Sequence, residues 1–207
     1  MKIVLIGASG YVGSAVLSEA LDRGHDVTAI ARRPPEARAD ARLMHLAMDI
    51  VDTAALSAAM AGHQVAISAF NPAQDEDGAR TRSIIDAAKR AKVSRLLVVG
   101  GAGSLYTASG ALVIDAPDFP SEWRASAHRT AAFLDRLRGE TALDWAFLSP
   151  AALLVPGERS GRYRIGKDTL LTDVNGESRI SVQDYAVAML DEVERPSHHR
   201  ERFTVAY

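Results

Sequence analysis

Gly7, Gly10 and Gly13 occupy the first, fourth and seventh places of Gly7-Ala8-Ser9-Gly10-Tyr11-Val12-Gly13, directly after the apolar run Lys2-Ile3-Val4-Leu5-Ile6. That spacing suits the binding of a pyrophosphate by backbone groups. The first glycine permits a tight turn, the second lets N–H groups approach the phosphates, and the third lets a helix pack closely on the strand. The helix N-terminus that follows adds unpaired N–H groups and a partial positive charge. Ser9, Tyr11 and Val12 share the turn and join the glycines as expected contacts to a dinucleotide. A glycine triplet alone is a weak signal. Its place between an apolar strand and an amphipathic segment over residues 12–23 makes it a specific one.

The type of dinucleotide is read further along. An NAD site places a carboxylate near the end of the second strand to hold the ribose 2′-hydroxyl. That place falls near Ala31, and Arg32-Arg33 follow at once. A guanidinium there can fork onto a 2′-phosphate and stack on adenine, so NADP(H) is favoured over NAD(H). Asp49 and Ile50 would flank the adenine, Asp49 toward its amino group or else as a helix cap before Thr53. Ser68, Ala69, Phe70 and Asn71 would line the nicotinamide ribose, and Gly100, Gly101 and Pro150 would border the ring.

These residues need a scaffold that brings strand ends to one edge. Apolar strands are expected at residues 2–6, 26–31, 43–47, 64–69, 95–99 and 143–148. Helical spacing is expected at 53–61, 78–91, 121–138 and 182–193, with a last strand at 203–205. Near-continuous apolar strands alternating with helices argue an α/β doubly wound parallel sheet, the NAD(P)-binding Rossmann arrangement. Residues 1–207 read as a single domain, with the C-terminal quarter, residues 151–207, on the substrate side. Asn175-Gly176 suggests a hairpin between Leu170-Leu171-Thr172 and Ser178-Arg179-Ile180. Gly157, Gly161 and Gly166 interrupt a segment carrying Arg159, Arg162 and Arg164. It is expected to close over an anionic acceptor.

Composition narrows the class. The 207 residues are 47% hydrophobic, carry a formal net charge of −2 and include no cysteine. There is no basic excess for nucleic acid, no thiol catalyst, and no histidine pattern of a metal site. The opening apolar run is too short for a signal peptide or membrane span, so a cytoplasmic protein without a membrane partner is expected. A homo-oligomer is left open.

With the glycine motif, Arg32, Gly100-Gly101-Ala102-Gly103-Ser104-Leu105 and Asp144-Trp145-Ala146-Phe147-Leu148-Ser149-Pro150 in hand, the chain resembles a known group. It is similar to the atypical short-chain dehydrogenase/reductases of the NAD(P)H-binding, NmrA-like type, near provisionally named NADH-flavin reductases and biliverdin reductase B. The resemblance spans the whole chain, through Ser178-Arg179-Ile180-Ser181, Asp184-Tyr185-Ala186 and Arg202-Phe203-Thr204-Val205-Ala206-Tyr207. It implies a Rossmann fold and NAD(P)H binding, and says little of substrate.

The chain departs from the family's usual acid, a Tyr with a Lys four residues later on a helix. The segment that should carry the pair reads Pro120-Ser121-Glu122-Trp123-Arg124-Ala125-Ser126-Ala127-His128. Tyr163 and Lys167 have the spacing but sit after the sixth strand in strand-like sequence, about 13 Å apart where a helix gives about 6 Å. Ser104, Tyr106 and His128 remain the catalytic candidates. Without an acid pair, hydride transfer to a flavin-like or quinone-like small-molecule acceptor ranks above alcohol chemistry. The alternative is an NADP(H)-binding redox sensor without turnover.

Overall fold

The computed structural model describes residues 1–33 and 40–207. Pro34 and Pro35, which follow the two arginines, lie outside the described residues. Along the chain run β1 (Lys2–Ile6), α1 (Tyr11–Asp22), β2 (Asp26–Ala31), β3 (Leu43–Ala47), α2 (Thr53–Met60) and β4 (Val65–Ser68). Then come α3 (Ala79–Ala91), β5 (Arg95–Val99), α4 (Ser121–Arg138), β6 (Trp145–Ser149), β7 (Leu153–Val155) and β8 (Arg164–Gly166). The chain continues with β9 (Arg179–Ser181), α5 (Val182–Glu194) and β10 (Glu201–Ala206). No helix among the described residues is long and apolar enough to cross a membrane.

The main sheet has eight strands in the order β3-β2-β1-β4-β5-β6-β10-β8. All neighbours pair in parallel except β8, which runs antiparallel to β10. The strands alternate their side chains between two cores. One face packs Ile3, Leu5, Ala29, Ile67 and Leu148 against Val16 and Leu17 of α1 and Tyr185 and Met189 of α5. The other packs Val4, Ile6, Val98 and Phe147 against Leu56, Ile84, Ile85 and Phe133 from α2, α3 and α4. Burial on both faces explains why these strands read as apolar runs instead of alternating ones. The sheet is therefore doubly wound: successive strands are added on one side of β1 and then, from β4, on the other, and such sheets open a ligand crevice at that switch in strand order.

The C-terminal quarter differs from the expected hairpin. The Asn175-Gly176 turn forms, closed by Asp173, whose carboxylate accepts from the N–H groups of Asn175 at 2.8 Å and Glu177 at 2.9 Å. Its flanks do not pair with each other. Instead β9 lies parallel to β7, Leu153 opposite Arg179, in a separate two-stranded sheet. Ile180 and Leu154 join the α1/α5 core, which draws β9 away, while Leu170 N–H donates to the Tyr106 carbonyl at 2.8 Å. Burial overrides turn chemistry here. The strand-like sequence between Tyr163 and Lys167 does form a strand, β8, which lies on the sheet edge with Ile165 57% exposed.

The opening turn sets the tightest constraint in the fold. Gly7 adopts φ +80°, and a Cβ there would lie 2.6 Å from the Ala69 carbonyl oxygen. A Cβ on Gly13 would lie 2.0 Å from the Gly7 oxygen, with only backbone to move. Gly13→Ala should therefore lower stability by about 3 kcal/mol, the upper range of overpacking. Gly62→Ala, at φ +77° but in open space, should lose only about 1 kcal/mol. Urea unfolding of both variants checks this, and equal midpoints would refute the steric account.

Candidate dinucleotide and acceptor site

The expected cofactor residues come together along one rim, at the C-terminal ends of adjacent strands. Gly7 N–H donates to the Ile30 carbonyl at 2.8 Å, and Gly10 N–H to the Gly7 carbonyl at 3.0 Å. Gly10 caps α1 without a side-chain acceptor, and the first turn of α1 holds no acidic residue. The helix N-terminus thus keeps its positive end toward the turn. This tight turn, which a Cβ at Gly7 or Gly13 would force apart, and the helix N-terminus behind it fit a dinucleotide pyrophosphate.

Next along the rim, Arg32 and Arg33 leave β2 exposed to solvent. Asp49 follows β3, and Arg80 of α3 donates to it at 3.3 and 3.0 Å. Those bonds, then the Val51 N–H, hold the Asp49 carboxyl below the usual carboxylate range, and the nearby Arg32 charge adds to the effect. The helix cap before Thr53 is Asp52, which accepts from Ala54 and Ala55, so Asp49 does not serve as the cap. Ile50 is only 7% exposed and packs with the α2/α3 core, leaving little surface for an adenine ring.

At the centre, Ser68 ends β4 fully buried, with its hydroxyl oxygen unpaired. Ala69 N–H donates back to the Ile6 carbonyl at 2.8 Å, which sets the Ala69-Phe70-Asn71 exit beside the glycine turn. Asn71 caps the short turn Pro72–Gln74 by accepting from Ala73 N–H at 3.0 Å, and Ser126 of α4 donates to the same oxygen at 3.3 Å. Gly100 has no room for a side chain, since a Cβ would meet the Phe147 ring at 2.2 Å. Gly101 and Gly103 pack against Thr130 and Ala127 of α4. Pro150 and Ala151 are buried at the end of β6.

The three catalytic candidates separate. Ser104 sits on the rim, but its hydroxyl and carbonyl oxygens both accept from Arg202 Nη1, at 3.1 and 2.7 Å. Tyr106 is 41% exposed, and its backbone is stitched to Asp168 and Leu170. His128 is exposed, while Ser126, Ala127 and Thr130 of α4 touch the rim. Helical spacing within residues 121–138 held the signal for that face. The Tyr163 hydroxyl donates to Asp191 at 2.5 Å, and burial and that carboxylate push its pKa up, the reverse of an activated tyrosine acid.

The expected cationic lid is also different. Arg159 forms a fork on Glu19 of α1, 2.7 Å at each contact, and Arg164 donates to the Thr172 carbonyl at 2.8 Å and to the Tyr207 carbonyl. Two of the three arginines are thus held by the body of the protein, Arg159 by a carboxylate that offsets its charge and Arg164 by carbonyl oxygens. Residues 168–170 do border Tyr106, so part of the segment reaches the loop that follows Ser104.

Arg202 was not legible as a site residue, although an arginine inside an apolar strand was a signal. Its side chain is 1% exposed and ties Asp168 to the Ser104 loop. Arg202→Met would strand those acceptors. Asp168 is 52% exposed. It can take water, so the expected loss of stability is about 2 kcal/mol, below that of a fully buried broken pair. Urea denaturation measures it, and an unchanged midpoint would remove Arg202 from this role.

Residues 7–193 match the NAD(P)H-binding family. The Bacillus subtilis protein YwnB, uncharacterized, is 40% identical over 211 residues, which span 99% of this chain and 98% of that protein. A crystal structure from Bacteroides thetaiotaomicron, provisionally named an epimerase, is 47% identical with a TM-score of 0.95, covering 100% of this chain and 96% of that one. A Streptococcus pneumoniae protein provisionally named an NADH-flavin reductase is 33% identical with a TM-score of 0.87, covering 100% and 99%. Strand order, glycine cradle and these relatives agree on an oxidoreductase-like, NAD(P)H-binding fold. The chain belongs to the NAD(P)H-binding family.

Proposed function

We propose that this protein is an NADPH-dependent reductase that passes hydride to a flavin-like or quinone-like acceptor. The α4 surface carries this reading: Ser126, Ala127 and Thr130, which touch Asn71, Gly103 and Gly101 of the rim, have no titratable side chain. That surface offers no tuned proton donor. An alcohol, or a sugar undergoing epimerisation, needs one. A conjugated acceptor does not, because its own ring takes the negative charge and water supplies the proton. The name of the Streptococcus relative supports the same class.

A bound reduced nicotinamide would supply the hydride. The chain's part is positioning. Gly7, Gly10 and Gly13 hold the pyrophosphate, and Arg32 and Arg33 take the 2′-phosphate. Ser68, Ala69, Phe70 and Asn71, with Gly100 and Gly101, leave space for the nicotinamide ribose. Trp123, 57% exposed, and Tyr106 offer flat apolar surface to a planar acceptor. Ser104, fixed by Arg202, holds the acceptor wall and orients what binds there.

Steady-state NADPH oxidation with FMN, riboflavin and several quinones tests the reading. Turnover with at least one is expected. Tight NADPH binding with no turnover on any acceptor would favour the redox sensor instead. Arg32→Ala should weaken NADPH roughly tenfold while leaving NADH nearly unchanged, as loss of one charge-assisted phosphate fork predicts. Calorimetric titration of both nucleotides measures this, and equal or tighter NADH binding by the parent chain would overturn the NADP(H) preference.

A further inference from the structure

Asp49 stands in an awkward place for an NADP(H) site. β2 and β3 pair in parallel with Ala31 opposite Ala47, and Met48 N–H donates to the Ala31 carbonyl at 3.3 Å. Arg32 and Asp49 therefore leave the two strands side by side. Asp49 keeps 46% of its side chain exposed. A bare carboxylate in this position would favour ribose hydroxyls and repel a 2′-phosphate.

Arg80 changes that balance. It reaches Asp49 from the first turn of α3, and two of its nitrogens engage the two carboxylate oxygens separately, Nε to Oδ1 at 3.3 Å and Nη2 to Oδ2 at 3.0 Å. Val51 N–H donates to Oδ1 at 3.1 Å, so Asp49 is held from two directions. Arg80 is itself anchored at its backbone: its N–H donates to Asp75 at 2.9 Å, and Asp75 is only 3% exposed. The anchor does not use the guanidinium. Its Nη1 makes no hydrogen bond among the described residues, and the side chain is 30% exposed.

We infer that Arg80 is a specificity-determining residue: it masks the Asp49 carboxylate so that the Arg32 pocket accepts a 2′-phosphate. The inference rests on the NADP(H) reading and extends it to a residue outside the strand-end motif. Asp49 then serves as a built-in discriminator whose sign Arg80 sets. Masked, it tolerates the phosphate. Unmasked, it rejects it and favours the bare ribose. The effect is Coulombic between exposed groups, so it should shrink as salt rises.

Dissociation constants for NADPH and NADH, measured by fluorescence titration for the parent chain, Arg80→Gln, Asp49→Asn and the double variant, test the inference. Arg80→Gln should move the NADPH:NADH affinity ratio toward NADH by roughly fivefold to tenfold, the scale of one like-charge contact at an exposed site. Asp49→Asn in the same chain should restore most of that shift, because it removes the charge that needed masking. Thermal midpoints accompany each titration, and both sites are exposed enough for the variants to fold. An Arg80→Gln ratio within about twofold of the parent, or a double variant no better than Arg80→Gln, would overturn the masking role. Failure of the cofactor reading looks different: the parent chain would bind NADH as tightly as NADPH and ignore Arg32→Ala, whatever Arg80→Gln does.

Discussion

Backbone packs on backbone at the start of the chain, and the rest of the molecule is arranged around that contact. With no Cβ on Gly13, the first turn of α1 can lie against the Gly7 carbonyl. With none on Gly7, the turn can press against the end of β4 at Ala69. One contact therefore fixes three things: the height of the helix N-terminus, the exit of β4, and the gap between β1 and β4 where the strand order switches. Any side chain would widen that gap by about the width of a methyl group and pull the N–H groups away from a phosphate. The rim is precise because its centre is made of main chain.

The two faces of the sheet do different work. On the α1/α5 face, charged groups bind helices to one another: Arg23 bridges Glu19 at 2.7 Å, Asp191 at 2.8 Å and Glu194 at 2.8 Å, and Arg159 adds a second fork on Glu19. The tail crosses this face and is held there. On the opposite face, α4 approaches the Gly101 and Gly103 turns through small side chains, which leaves the rim open above it.

What the sequence revealed follows from how local each signal was. β1, β2 and β5 and the extent of α4 were readable because two-sided burial and helical spacing leave unbroken patterns, whereas β3, a half-exposed edge strand, left a weaker one. The glycine turn was readable because its constraint lies within seven residues. The departures come from long-range choices. Whether Ile180 pairs with Leu170 or Leu154 depends on which core it can reach, and no turn dipeptide encodes that. Arg159 looked like free charge because its partner, Glu19, lies 140 residues away. Asp49 was read as a residue just past the third strand, but its partner Arg80 was missed. Its helix begins far from β3 in sequence, and only the fold brings them together.

β10 sits between β6 and β8, and Arg202 within it fastens a loop 98 residues earlier in the chain. On a ribosome, the glycine cradle and β1 through β5 emerge first and can pair as they appear, whereas the Ser104 loop waits for β10 to dock. A nascent chain would thus acquire the glycine turn and the first five strands before the Ser104 loop gains its anchor, and folding of that loop waits for the last strand.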